Sequence, residues 1–178
     1  AILDNGSLKC WGHDTWGQLG DGGSSANTNA PSATPVNLGS GRTAVAVSST
    51  YGHTCAILDN GEARCWGRDN YGQLGDGGSN TDQGSPIAVS GSNTWDSSTG
   101  LSSGSGSGSG GGSSSSSSFA YANDKLSASS QHTCAILDNG ELKCWGSDNQ
   151  GQLGDGGSNT NTNAPSSTAI DLGTGRTA

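Results

Sequence analysis

One pattern is written three times along this chain, and that repetition restricts the fold more than any other feature of the sequence. Ala-Ile-Leu-Asp-Asn-Gly leads into Cys-Trp-Gly from Ala1 to Gly12, from Ala56 to Gly67 and from Ala135 to Gly146. Each copy continues into Gly-Gln-Leu-Gly-Asp-Gly-Gly, at Gly17 to Gly23, Gly72 to Gly78 and Gly151 to Gly157. Repeats at such spacing belong to architectures in which one unit cannot bury its own apolar face and stacks on its neighbours. The motif is therefore first of all a scaffold, and positions where the copies differ carry whatever is specific to each.

Within the second copy, Cys55 to Leu58 and Glu62 to Cys65 are short strand-like runs around Asp59-Asn60-Gly61. A three-residue loop built on a type I turn, with Gly61 in the left-handed region, is a common hairpin connection. This register sets Leu58 against Glu62, Ile57 against Ala63 and Cys55 against Cys65. The cysteines then fall on a non-hydrogen-bonded pair with Cα atoms ~4.5 Å apart, inside the range a disulfide accepts. The same spacing pairs Cys134 with Cys144, while Cys10 matches the second member of a pair whose first member would precede Ala1. The chain accordingly reads as a piece cut from a longer repeat array. Reduced, buried cysteines are the alternative. A zinc site with His53 or His132 is a further one, though the close ligand spacings of structural zinc are absent. Disulfides imply an oxidising compartment, hence an extracellular or cell-surface location.

Further strand-like runs are Ala44 to Ser48 before the second copy, and Pro35 to Leu38 and Pro86 to Val89 after the first two glycine loops. About four short strands per unit, with no helical period, predict an all-β fold of four-stranded antiparallel blades, as in a β-propeller. The units are 1–50, 51–96 and 119–178, separated by a Ser/Gly-rich insertion at 97–118. That insertion has no apolar surface to offset ordering and is expected to be a flexible coil, natural or engineered. Trp95, Phe119 and Tyr121 flank it, either pinning its ends or offering a contact surface.

The series His-Thr-Cys-Ala-Ile-Leu-Asp-Asn-Gly, Cys-Trp-Gly and Gly-Gln-Leu-Gly-Asp-Gly resembles the blade repeat of the regulator of chromosome condensation family. It is most similar to the cysteine-paired variant of bacterial and environmental sequences. The resemblance implies a seven-bladed propeller, its remaining blades supplied by the parent chain or by association. The family usually has Asn two residues after Trp-Gly, where this chain has Asp14, Asp69 and Asp148. Nothing matches the Ran-binding surface or the basic chromatin-binding tail of the eukaryotic namesake, which places nucleotide exchange on a small GTPase third among the functional readings.

Composition narrows the partners. A net charge of -8 with seven Lys and Arg argues against nucleic acid, which needs a basic patch or stripe. No apolar run approaches the ~20 residues of a membrane-spanning helix. His13 is replaced by Arg68 and Ser147 in the other copies, and His53 and His132 repeat with the scaffold, so no histidine is singled out as a base. Neither a nucleophile elbow nor a phosphate-binding loop occurs, and no enzymatic activity or cofactor is expected. Calcium is the second metal considered, because Asp14, Asp21, Asp69, Asp76, Asp82, Asp148 and Asp155 lie in loops; the spacing fits neither the EF-hand nor the nonapeptide calcium repeat, and turns prefer Asp in any case. The leading expectation is a non-enzymatic binding module that contacts a protein or glycan through its loop rims. Thr15-Trp16, Asn70-Tyr71 and Asn149-Gln150 vary at one equivalent place, so Trp16, Tyr71 and Gln150 are the candidate contact residues. A structural spacer or display repeat without a specific ligand is the second reading.

Overall fold

The computed structural model describes residues 1–23, 26–97, 125–157, 159–174 and 176–178. Strands β1 (Ala44–Ser49), β2 (His53–Leu58), β3 (Ala63–Gly67) and β4 (Gln83–Ala88) form one antiparallel sheet in that order. A second antiparallel sheet orders β5 (Leu126–Ala128), β6 (His132–Ile136) and β7 (Leu142–Gly146). In the first copy the hairpin survives as an isolated bridge between Ile2 and Leu8. The fold is all-β, with no helix among the described residues. The insertion from 98 onward, with Phe119 and Tyr121, lies outside the described residues.

The hairpin turn takes the form its three-residue loop dictates. Leu58 N donates to Glu62 O (2.8 Å), Gly61 N donates to Leu58 O (3.0 Å), and Gly61 has φ 78°. Ile57 then faces Ala63 and Cys55 faces Cys65. Cys55 and Cys65 form a disulfide with Cα atoms 4.1 Å apart, as do Cys134 and Cys144. The thiol of Cys10 is free, and burial raises its pKa.

Among the described residues four strands pair in one sheet only around the second copy, and the first of them, β1, lies before residue 51. The segment Pro35 to Leu38 forms no strand; it returns to the sheet through one bond from Val36 N to Leu8 O, 2.8 Å. In the third copy Ile170 N meets Leu142 O in the same way, at 3.0 Å. The stretches from Thr28 to Val36 and from Thr162 to Ile170 are longer than their counterpart from Gln83 to Val89, and each carries a proline after Asn-Ala. The extra length loops out, so the backbone of the stretch bonds the hairpin backbone at its two ends, while Lys9 Nζ reaches the Ala33 carbonyl (3.3 Å) between them.

Strand β2 is buried along its whole length because both faces are covered. Cys55 and Ile57 pack with Leu126, Leu137 and Trp145 of the third unit. Ala56 and Leu58 pack with Leu8, Leu38 and Trp66 on the side of the first. Successive side chains of a strand point to opposite faces, so one strand can serve two interfaces. Trp95 is buried with its ring 5.4 Å from that of Trp145, and its backbone N–H donates to Gly61 O, 2.9 Å.

A polar lock joins neighbouring units. The carbonyl of Gln18 accepts from Trp66 Nε1 and Thr54 Oγ1, both at 2.9 Å. That of Gln73 accepts from Trp145 Nε1 and Thr133 Oγ1, both at 3.0 Å. Glycine is required beside each lock: a Cβ on Gly20 would sit 2.6 Å from Trp66 Nε1, and one on Gly75 would sit 2.5 Å from Trp145 Nε1. Trp11 is 48% exposed.

Candidate functional site

The loops that follow each Trp-Gly share three bracing bonds. The Asp14, Asp69 and Asp148 carboxylates accept the N–H of Leu19 (2.9 Å), Leu74 (2.8 Å) and Leu153 (2.9 Å). Their own N–H groups donate to the side-chain oxygens of Asn27, Asp82 and Asn161, each at 2.9 Å. Within the loop, Oε1 of Gln18, Gln73 and Gln152 accepts the N–H of Trp16 (3.0 Å), Tyr71 (2.8 Å) and Gln150 (2.8 Å). The repeated residues thus form a rigid bracket whose product is the position of one variable side chain per copy.

One oxygen of each carboxylate is committed to a loop amide, which explains why these aspartates recur, while the Oδ2 atoms of Asp14 and Asp69 are buried without a partner. Among the described residues no three His, Cys, Asp or Glu side chains converge on a metal position. Burial pushes the Asp69 carboxyl up to about 6 against the opposing bond from Leu74 N, with Asp76 and Asp82 adding to the rise. Burial also raises Asp14.

His53 is fully buried at the interface, with Nε2 2.9 Å from Thr133 Oγ1 and Nδ1 3.2 Å from Thr50 Oγ1. Burial, reinforced by His132, holds its pKa down at about 4. It is a neutral strut between units. His132 is likewise lowered by burial, and its Nδ1 lies 2.7 Å from Ser129 Oγ.

At the rim of the junction between the first and second units, the variable residues meet. The Arg68 guanidinium carbon lies 5.3 Å from the Trp16 ring centroid and 5.8 Å from that of Tyr71. Tyr51 meets Trp16 edge-on at 5.1 Å and 66°, and His13 does so at 5.3 Å and 63°. His13 and Tyr51 stack on each other at 5.4 Å. Tyr51 is 68% exposed. Because Gln18 Oε1 accepts from Trp16 N, its amide nitrogen faces His13 Nδ1 (2.8 Å) and donates to it, leaving His13 Nε2–H for Thr15 Oγ1 at 2.8 Å.

Of the three candidate contact residues, Trp16 and Tyr71 therefore share one guanidinium, whereas Gln150 stands exposed on the third loop and takes no part. Arg68 and Tyr51 are site residues that motif reading passes over. The signal for Arg68 was the disagreement among His13, Arg68 and Ser147 at one repeat position; Tyr51, opposite Ser130 of the third copy, lies just outside the motif. At the next junction the scaffold is the same, but Ser147, Gln150 and Ser130 bring neither cation nor ring.

Two models of the regulator of chromosome condensation (RCC1) repeat match the chain, one at residues 5–57 and the other at 44–73 and 124–152. Human E3 ubiquitin-protein ligase HERC2 is 38% identical over 79 residues, covering 44% of this chain and 2% of the ligase. The ultraviolet-B receptor UVR8 of Arabidopsis thaliana is 34% identical over 77 residues, covering 43% of this chain and 17% of the receptor. Among solved structures, Prp20p of Saccharomyces cerevisiae superposes with a TM-score of 0.69 at 18% identity over 96% of this chain and 35% of its own. Human WBSCR16 does so with a TM-score of 0.67 at 18% identity, over 92% and 33%. The chain thus spans a small part of the curated relatives and about a third of these propellers. With the repeat matched over more than half of its residues and its fold shared with known propellers, the chain belongs to the regulator of chromosome condensation (RCC1) repeat family.

Proposed function

We propose that this chain is a non-enzymatic protein-binding module of an extracellular or cell-surface propeller, and that the rim formed by Trp16, Tyr51, Arg68 and Tyr71 is its contact surface. The observation that carries the reading is the convergence of copy-specific residues on one guanidinium over a hairpin and glycine loop that recur in every copy. Tyr, Trp and Arg are the residues most enriched where protein interfaces concentrate their energy. Prp20p, with this fold, has been studied for binding to Gsp1p and histones and has been solved bound to Kap60, so the fold can serve as such a platform. Two disulfide-closed hairpins support the oxidising location.

The test is selection of displayed peptides on the immobilised whole chain, followed by rebinding to the Trp16→Ala and Tyr71→Ala variants. Clones that lose both variants while near-ultraviolet circular dichroism stays native are expected. Clones that bind the variants as well as the parent, or no clones at all, would remove this surface from function and leave the spacer reading.

A further inference from the structure

Arg68 breaks a bracing bond that the other two copies keep. In the first loop the buried Gln18 amide nitrogen donates to His13 Nδ1 (2.8 Å) and to the Tyr51 carbonyl (3.1 Å), and in the third Gln152 donates to Ser147 Oγ (3.3 Å). The second loop has Arg68 at that position, and a guanidinium has no acceptor to offer. Gln73 Nε2, on a side chain fully buried, is correspondingly left without a partner. Of the three equivalent glutamine amides only that of Gln73 is orphaned in this way, and a buried donor without a partner is a destabilising feature that a compensating role would explain.

The guanidinium is itself held ready. Trp16 and Tyr71 flank it, and Nε donates to Asn70 Oδ1 at 2.8 Å. Gly52 leaves the stem its room, since a Cβ there would lie 3.2 Å from Arg68 Cβ and 3.3 Å from Cδ. Arg42, Arg64 and Lys125 each have a carboxylate within 4.0 Å, whereas among the described residues Arg68, like Lys9, Lys143 and Arg176, has none. Its Nη donors make no hydrogen bond among the described residues. A planar fork already held beside two rings and by Asn70 loses less freedom when it takes a carboxylate in two parallel bonds.

We infer that Arg68, clamped between Trp16 and Tyr71, is the receptor for an Asp or Glu side chain of a partner protein segment, with an aromatic or aliphatic neighbour of that residue seated against Tyr51 and Trp16. This rests on the protein-binding reading above and names its chemistry. A protein segment fits better than an acidic sugar because the guanidinium covers Trp16 and His13 stacks on Tyr51, so the patch presents ring edges and a cation and no open flat platform for a pyranose.

The experiment follows the Trp16 indole and Arg68 Nε–H resonances of the whole chain by nuclear magnetic resonance during titration with two peptides. One is acetyl-Gly-Glu-Tyr-Glu-Leu-Gly-amide and the other has both Glu replaced by Gln; hexagalacturonate is the sugar arm. The acidic peptide should shift both resonances and bind about tenfold more tightly than the Gln peptide, as one charge-assisted bond pair implies. Arg68→Ser should lose that about tenfold preference, and Arg68→Lys, which keeps the charge without the fork, should retain only part of it. Equal binding of the two peptides through Trp16 and Tyr71 would overturn carboxylate recognition and leave the protein-binding reading standing. Response to the sugar alone would overturn the choice of partner, and no response of either resonance to any probe would sink both readings.

Discussion

Gly75→Ala is the most demanding test of how neighbouring units are held together. The backbone there is left-handed, φ 68°, and the new methyl would lie 2.5 Å from Trp145 Nε1 and 2.7 Å from Cδ1. Trp145 is fully buried against Trp95 and Leu74, so its indole cannot retreat without disturbing the core and giving up its bond to the Gln73 carbonyl. The left-handed alanine costs about 1 kcal/mol, the lost hydrogen bond about 1 kcal/mol, and overpacking a further 1–3 kcal/mol or so, for about 3–5 kcal/mol in all. Gly156→Ala is the matched control: its φ is 69°, and nothing lies within 4 Å of the added methyl. It should cost about 1 kcal/mol, the backbone term alone. Urea unfolding of the whole chain, followed by tryptophan fluorescence and near-ultraviolet circular dichroism, measures both. If the two substitutions cost the same, the glycine-to-indole lock contributes nothing and the account of inter-unit packing is wrong.

Three further outcomes are expected. Arg68→Ser should be more stable than Arg68→Ala by about 1 kcal/mol, because only serine restores an acceptor to Gln73 Nε2; equal midpoints in urea would mean that the orphaned donor has no cost. His53, held down at about 4 by burial, stays neutral in the fold while the unfolded chain takes up a proton from pH ~6.5 downward, so its contribution of about 3 kcal/mol is present above pH 6.5 and lost as pH falls toward 4. Asp69, raised to about 6, acts oppositely and adds stability as pH falls from 6 toward 3.8. The parent profile should therefore be flattened in that window; His53→Gln should gain stability on acidification and Asp69→Asn should lose it, and parallel profiles for both would contradict the assignment. Finally, replacing both Cys55 and Cys65 by Ala should cost about 3 kcal/mol through the freed loop. Alkylation under mild native reduction should label the half-buried Cys134 before the fully buried Cys55, an order that mass spectrometry reads directly.

Repeat spacing, turn chemistry and period-two patterning were enough to place the hairpins, their register and the opposed cysteines, because each is set by a few consecutive residues and a glycine at positive φ. The strands beyond the hairpin were less legible. Pro35 to Leu38 has strand composition, yet the longer connection around Pro31 keeps it off the ladder, and loop length acts through geometry that composition does not record.

The candidate site divides in the same way. Disagreement between copies singled out Trp16 and Tyr71 from the sequence alone, since a repeated scaffold is the background against which any change is visible. That these residues flank one guanidinium, that Tyr51 joins them, that Gln150 does not, and that Gln73 loses its partner to Arg68 were decided by tertiary structure. The physical reason is one of range. Turns, pairing register and capping bonds are local and can be read along the chain, whereas the rim is made where the loop after one Trp-Gly meets the loop after the next, and only the packing of unit on unit brings them within reach.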